Sequence, residues 1–160
     1  MIAREGAFAI PLIITTESAG SPEALAFLQG RDAELSALYS PEQSFRIPIA
    51  KHVRDDVIFL MARENGIALG CGALQLHSGY GELKSMYVVP EARGKRLAQA
   101  LVAALENLAR ERGFSEVKLE TGIYSRAAIR TYERAGYSRC ERFGDYPFAP
   151  TSVFMMKTLS

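Results

Sequence analysis

Apolar and polar positions divide the chain into segments of two different periods. Residues 7–15 (AFAIPLIIT) form an apolar run that predicts a first strand, with Pro11 placing it at an edge or a bulge. Ser21-Pro22-Glu23 reads as a helix start, Ser21 as cap and Pro22 in the first turn. Leu25, Leu28, Ala33, Leu35 and Leu38 then recur at an interrupted helical spacing up to Tyr39, with Gly30 as a weak point. Over 40–56 the pattern loosens around Pro41 and Pro48, which predicts a loop with at most a short helix. A block of three strands follows at 57–64 (VIFLMARE), 67–77 (IALGCGALQLH) and 81–89 (GELKSMYVV). Asn65-Gly66 and Ser78-Gly79 supply the turns between them.

Pro90 ends the third of these strands, and the spacing predicts a helix from there to about Arg112. Leu97, Leu101, Ala104, Leu105 and Leu108 form its apolar face, and Gly113 stands just past its end. SEVKLETG (115–122) alternates as a strand, and SRAAIRTYERAG (125–136) reads as another core-facing helix stopped by glycine. Strands at 137–143 and 152–159 close the chain, joined by the aromatic, proline-rich GDYPFAPT. The order is strand, helix, three strands, helix, strand, helix and two strands. That is an α/β domain with a mixed sheet, not a uniform βαβ series. With 160 residues the chain fits one domain, 1–160, able to bury a real core.

Charge alters this picture little. Nineteen Lys and Arg against eighteen Asp and Glu leave a formal charge of +1, so neither nucleic acid nor an acidic membrane is attracted in general. Cys71 and Cys140 lack metal-ligand spacing, and His52 and His77 belong to no ligand pattern, so no metal is expected. Both cysteines read as buried bystanders in strands, which fits a reducing cytoplasm. The opening MIAREGAFAIPLIITTES is too short in its apolar run to span a bilayer and lacks a cleavage site. A complete cytoplasmic protein is the expectation.

The start of the helix after Pro90 raises a chemical question. PEARGKRLAQAL loads its first turn with Arg93, Lys95 and Arg96, at the end where the dipole is already positive. Gly94 beside them is roughly 1 kcal/mol worse than Ala in a helix. Cations there become favourable when an anion sits between them, and a phosphate or pyrophosphate is such an anion. A solvated basic turn is the alternative. Neither a Walker loop nor a dinucleotide fingerprint is present, because GK[ST] and the three spaced glycines are missing.

SMYVVPEARGKRLAQALV resembles the cofactor motif of the GNAT superfamily of acyl-CoA-dependent N-acetyltransferases. The family pattern is Gln or Arg, two residues, Gly, one residue, then Gly or Ala. Arg93 and Ala98 match it, and Arg96 stands where the middle glycine is usual. SRAAIRTYERAGY resembles the second family signature, matching at Ala128, Tyr132, Gly136 and Tyr137, with Ser125 in place of the usual Asn. Two signatures in the right order, with a strand between them, are more specific than either alone.

The resemblance covers Phe8 to Leu159 and implies a mixed, mostly antiparallel central sheet flanked by helices on both faces. It implies acetyl-CoA as cosubstrate, its pyrophosphate held by backbone amides across 94–98, with Gly94, Lys95 and Leu97 in that segment. Met86, Tyr87 and Val88 would supply backbone groups to the acetyl carbonyl and the pantetheine arm, and Ser125 would join the cofactor site. A primary amine would attack the thioester directly in a ternary complex.

Such an amine must be neutral. Deprotonating a lysine-like ammonium at pH 7 costs about 4.6 kcal/mol, and a positioned carboxylate, directly or through a water, can take that proton. Glu82, four residues before Met86, is the first candidate and Glu120 the second; either can equally be a solvated strand residue. Tyr132 occupies the family position of the general acid that protonates the departing thiolate, against the simpler reading of a core aromatic. The acceptor, a small-molecule or peptide amine, would be met by 40–56, with Tyr39, Phe45, His52 and Arg54, and by 143–151, with Tyr146 and Phe148. Asp55, Asp56 and Asp145 read as solubilising loop residues. A homodimer is compatible with the sequence. The competing function is a non-catalytic acyl-CoA-binding or sensor module on the same fold.

Overall fold

The computed structural model describes residues 11–160. Within them a seven-stranded sheet runs in the order β1-β2-β3-β4-β5-β7-β6. Its strands are β1 (Leu12–Thr16), β2 (Val57–Glu64), β3 (Ile67–Leu76), β4 (Gly81–Val88), β5 (Glu116–Gly122), β6 (Ser138–Arg139) and β7 (Ser152–Thr158). Three α-helices join them: α1 (Pro22–Leu38), α2 (Leu97–Glu111) and α3 (Arg126–Arg134). Every neighbouring pair is antiparallel except β4 and β5. The mixed, mostly antiparallel architecture is therefore present.

Both faces of the sheet are covered, which explains why 57–64 reads as a nearly unbroken apolar run. Leu60 and Ala62 of β2 join Leu74, Leu83, Leu101 and Leu105 on the α2 face. The alternate residues Phe59 and Met61 join Cys71, Ala73 and Leu28 on the α1 face. Period-two alternation thus feeds two cores from one strand. Ser21 caps α1 by accepting the Ala24 N–H at 3.1 Å. The helix runs through Gly30, where a Cβ would lie 2.8 Å from the Tyr87 hydroxyl, so glycine there permits close packing on β4.

Several sequence expectations shift. Residues 7–10 of the first predicted strand lie outside the described residues. The helix expected from Pro90 begins only at Leu97: Pro90–Ala92 is one 3-10 turn, and Gly94 and Arg96 have φ of 81° and 64°. Those left-handed residues break the helical path, so Arg93, Lys95 and Arg96 precede α2 and do not occupy its first turn. The strand expected over 137–143 pairs only at Ser138–Arg139, and Cys140 follows it, partly exposed. Segment 40–56 holds two 3-10 turns, Pro41–Gln43 and Ile49–Lys51. Among the described residues no helix is long and apolar enough to cross a membrane, and no three His, Cys, Asp or Glu side chains cluster as metal ligands.

Candidate active site

The site begins with an irregularity in β4. Pairing with β3 steps from Cys71↔Tyr87 to Ala73↔Lys84, so Ser85 and Met86 together face the single residue Gly72. Ser85 adopts φ 60°, a conformation L side chains rarely take. On its other side β4 pairs with β5 only at Gly81, Glu82 and Leu83, opposite Val117, Lys118 and Leu119. Beyond that point the two strands have no paired residues, and a gap opens between them. Val89 donates its N–H to Leu69 O on β3 at 2.9 Å. The alternate residue Val88 therefore turns its N–H and C=O toward the gap.

Buried polar side chains fasten the bulge. Arg31 of α1, 4 % exposed, donates to Ser85 Oγ at 2.8 Å, to Ile47 O at 3.1 Å and to Asp32 at 2.7 Å. His52, 1 % exposed, lies 2.6 Å from the same Ser85 Oγ through Nε2, and its Nδ1 lies 3.0 Å from Pro48 O. Nδ1–H must then donate to the carbonyl, leaving Nε2 to accept from the Ser85 hydroxyl. Burial, and next the Arg31 charge, lower the His52 pKa, which keeps the ring neutral. Helix α1, the 40–56 segment and β4 are thereby locked at one atom.

A cavity of about 1010 Å³ occupies the gap and the space between α1, α2 and α3. Met86, Tyr87, Val88, Arg93, Gly94, Arg96, Leu97, Ala98, Ser125 and Tyr132 all line it, whereas Lys95 and Glu82 do not. No side chain caps α2, so the first N–H groups of that helix have no capping partner. Arg93 is already engaged: it donates to Val88 O at 2.8 Å and to Glu34 at 2.7 Å. Arg96, Arg126 and Arg134 line the same end and have no hydrogen-bond or ion-pair partner among the described residues.

Glu82 is placed differently from the sequence expectation. It is 2 % exposed, with Oε1 2.9 Å from His77 Nε2 and Oε2 held by the Tyr146 hydroxyl and by Lys84 at 3.5 Å. The 140–151 segment closes Tyr146 over it, so this carboxylate stands behind the cavity wall. Of the two candidate bases, Glu120 is the one on the wall. Leu119 is the last β5 residue paired with β4, and Glu120 is the first beyond it. Burial pushes its carboxyl up to about 7, the Glu82 charge adds to that, and Ser152, which donates to it at 2.8 Å, and Lys84 oppose it.

Tyr132 reaches the cavity from α3 on the opposite sheet face. It is 7 % exposed, its hydroxyl makes no hydrogen bond among the described residues, and burial raises its pKa. Its ring packs at 6.0 Å against Tyr137. Tyr137 in turn donates to Glu106 at 2.8 Å, and Lys157 holds the same carboxylate at 3.0 Å. Ring orientation at Tyr132 is thus set by a buried polar anchor on α2 and β7.

Of the residues expected around an acceptor, Tyr39 and Phe45 line the cavity. His52 is committed to Ser85, Arg54 pairs with Asp56 at 2.5 Å on the surface, and Phe148 is 79 % exposed. Tyr39 crosses from the end of α1 to the β5–α3 turn. Its hydroxyl lies 3.0 Å from Ser125 Oγ and accepts the Tyr124 N–H at 3.0 Å. A Cβ at Gly122 would overlap that ring. Gly122→Ala is therefore expected to displace Tyr39 and cost about 1–3 kcal/mol, read as a lower Tm. An unchanged Tm would mean that Tyr39 is not held at this place.

Sequence reasoning missed Arg31 and Ser85. Arg31 falls three residues after Leu28 and seven after Ala24, on the buried stripe of α1, which marks a charge that must be enclosed. Leu83, Met86 and Val88 pack into one core although only two residues separate the first two, an odd offset of three. That slip in a two-residue period is the legible trace of the bulge.

Comparison with known proteins gives concordant results. The profile described as the acetyltransferase (GNAT) family matches residues 25–137. An IAA acetyltransferase of Azospirillum brasilense is 35% identical over 148 residues, covering 91% of this chain and 97% of that protein. The crystal structure of an acyl-CoA N-acyltransferase from Klebsiella pneumoniae is 38% identical with a TM-score of 0.80, covering 94% of this chain and 99% of that one. An N-acetyltransferase from Thermoplasma acidophilum, solved in complex with coenzyme A, has a TM-score of 0.68 at 18% identity, covering 92% and 98%. At that identity the likeness concerns the fold.

Proposed function

The chain belongs to the acetyltransferase (GNAT) family, and on that premise we propose that it moves an acetyl group from acetyl-CoA to a primary amine, which attacks the bound thioester directly. The observation that carries this reading is the β4–β5 gap. It joins an end with uncapped N–H groups and unpaired arginines to a desolvated carboxylate, within one cavity.

The residues present fit acetyl-CoA, which supplies an activated acetyl group and a thiolate leaving group. Arg96, Arg126 and Arg134 hold its phosphates together with the free N–H groups at the start of α2. The Val88 N–H, turned into the gap, meets the carbonyl oxygen where negative charge develops. Glu120 takes a proton from the ammonium. Raising a carboxyl from its ordinary range toward 7 narrows the gap to the amine by roughly 3 kcal/mol. Glu82, the first sequence candidate, then supports the site from behind by holding Lys84 and Tyr146. As the N–C bond forms and the C–S bond breaks, Tyr132 gives its proton to sulfur and recovers one from solvent.

Thiol release from acetyl-CoA with a panel of amines tests the transferase, and calorimetry tests the binding. Arg96→Glu is expected to weaken acetyl-CoA binding about 10- to 100-fold, the value of one charge-assisted hydrogen bond. Arg96→Gly relieves the left-handed conformation, so Tm should hold or rise slightly while affinity falls. Unchanged binding in Arg96→Glu would remove this loop from the site. Binding without thiol release for any amine would favour the acyl-CoA-binding module.

A further inference from the structure

We propose that the acceptor is an amine that also carries an acidic group, its nitrogen at Glu120 and its acid between Ser44 and Arg46. This rests on the acetyl-transfer reading and names its substrate class. Ser44, Phe45 and Arg46 follow one another along the cavity wall. Two buried side-chain oxygens, Ser44 Oγ and Thr151 Oγ1, have no hydrogen-bond partner among the described residues. Of these two residues only Ser44 lines the cavity. A buried hydroxyl without a partner is costly, and a polar group bound in that space would satisfy it.

The arginine two residues on decides which polar group. Arg46 donates to Asp32 O at 3.3 Å and to Ser36 Oγ at 3.1 Å. A guanidinium has five N–H groups, so most of them have no partner among the described residues. Its charge is under-matched as well. Asp32 Oδ1 accepts from Arg31 Nε at 3.0 Å and Nη2 at 2.7 Å, whereas Arg46 Nε stays 3.7 Å away. One carboxylate thus serves two guanidiniums, and the close contacts belong to Arg31. Lys84 has its own counter-charge, with Glu82 at 3.5 Å, and Glu120 is engaged by the reacting nitrogen. The positive charge left over sits at Arg46. A carboxylate or phosphonate answers both features, because it takes a forked guanidinium contact and a hydrogen bond from a hydroxyl.

This place is distinct from the phosphate end. Arg46 lies along the α1 flank that carries Asp32 and Ser36, one turn apart. Glu34, roughly 200° round the helix from Asp32, faces the other way and holds Arg93 at 2.7 Å ahead of α2. Phe45 O lies 3.5 Å from Lys84 Nζ, and the Phe45 ring meets the Tyr146 ring at 6.1 Å. Lys84 follows Leu83 as Glu120 follows Leu119, the last pair between β4 and β5. The Ser44–Arg46 segment therefore stands at the Glu120 end of the gap.

The test is thiol release from acetyl-CoA by the wild-type chain with two matched pairs of amines. These are phenylalanine against phenethylamine and aminoethylphosphonate against ethylamine, and each pair differs only by the acid. At least one acid-bearing amine is expected to exceed its counterpart tenfold or more in kcat/KM. The pair that does so tells carboxylate from phosphonate. Arg46→Met should bring that ratio to within a few-fold of one, through KM, and Arg46→Lys should keep part of it. Any effect of the acid on the amine's own basicity persists in Arg46→Met, so the lost ratio reports the contact. Ser44→Ala should raise the KM of the acid-bearing amine several-fold without lowering Tm, and it carries the test if Arg46→Met fails to fold. Ratios below tenfold in both pairs, or a ratio that survives in folded Arg46→Met, would overturn the inference and leave the transferase reading standing. Release with none of the four amines, while acetyl-CoA still binds by calorimetry, would overturn the transferase reading and the inference with it.

Discussion

Glu120→Gln is expected to slow acetyl transfer by 10²- to 10⁴-fold, the usual worth of a positioned base. Gln keeps the size of the side chain and a hydrogen bond with Ser152, so the loss reports the missing proton acceptor. The pH profile makes the result specific. A base must be ionised to act, and burial holds the Glu120 carboxyl at about 7, so wild-type kcat/KM should fade as pH drops through that value. The variant should lose that limb. Stability should move the opposite way. The folded protein keeps a proton on Glu120 that the unfolded chain releases near 4.5, so this group costs stability as pH rises from there to about 7. Above that range Glu120→Gln is expected to be more stable than wild type, by on the order of 3 kcal/mol at most. Glu82→Gln supplies the contrast: its carboxylate is enclosed by His77, Tyr146 and Lys84, so its main cost should fall on stability. A large catalytic loss in Glu82→Gln with an intact Glu120→Gln would return the base role to Glu82.

Tyr132→Phe is expected to show a loss of the same size in the chemical step with little change in folding. The ring stays packed against Tyr137, and the hydroxyl removed makes no hydrogen bond among the described residues, so stability should change by less than about 1 kcal/mol. Acetyl-CoA affinity should remain within a few-fold of wild type. Burial raises the tyrosine pKa, which by itself makes a weak acid. The same burial disfavours a thiolate expelled beside it, so donor and acceptor move together and proton transfer stays accessible. Full activity in Tyr132→Phe would show that the hydroxyl is idle and the thiolate leaves unaided.

The sequence alone determined the succession of elements, because hydrophobic period and turn chemistry act within a few residues of each other. Leu97 to Leu108 recur at helical spacing, 57–64 and 67–77 flank Asn65-Gly66, and Gly113 and Gly136 stand past their helices. It also carried the family likeness, since Arg93, Ala98, Tyr132, Gly136 and Tyr137 sit at fixed offsets within single segments. Boundaries were less legible where backbone conformation overrode composition. The left-handed Gly94 and Arg96 delay α2 to Leu97, and the chain leaves the sheet after Cys140, whose N–H still donates to Phe154 O, although 141–143 suit a strand.

Only the tertiary structure decided which carboxylate meets the cavity. Glu82 and Glu120 are both strand glutamates with apolar neighbours, and no local pattern separates them. Three long-range relations do: the last β4–β5 pair at Leu83 and Leu119, the bulge tied by Arg31 and His52, and Tyr146 folded over Glu82. Charge pairing inside the cavity was hidden for the same reason. Whether a charged group is free or matched depends on partners as distant as Glu34 from Arg93, or Tyr146 from Glu82. Desolvation and ion pairing are set by what surrounds a group in space, and a linear pattern records only what precedes and follows it.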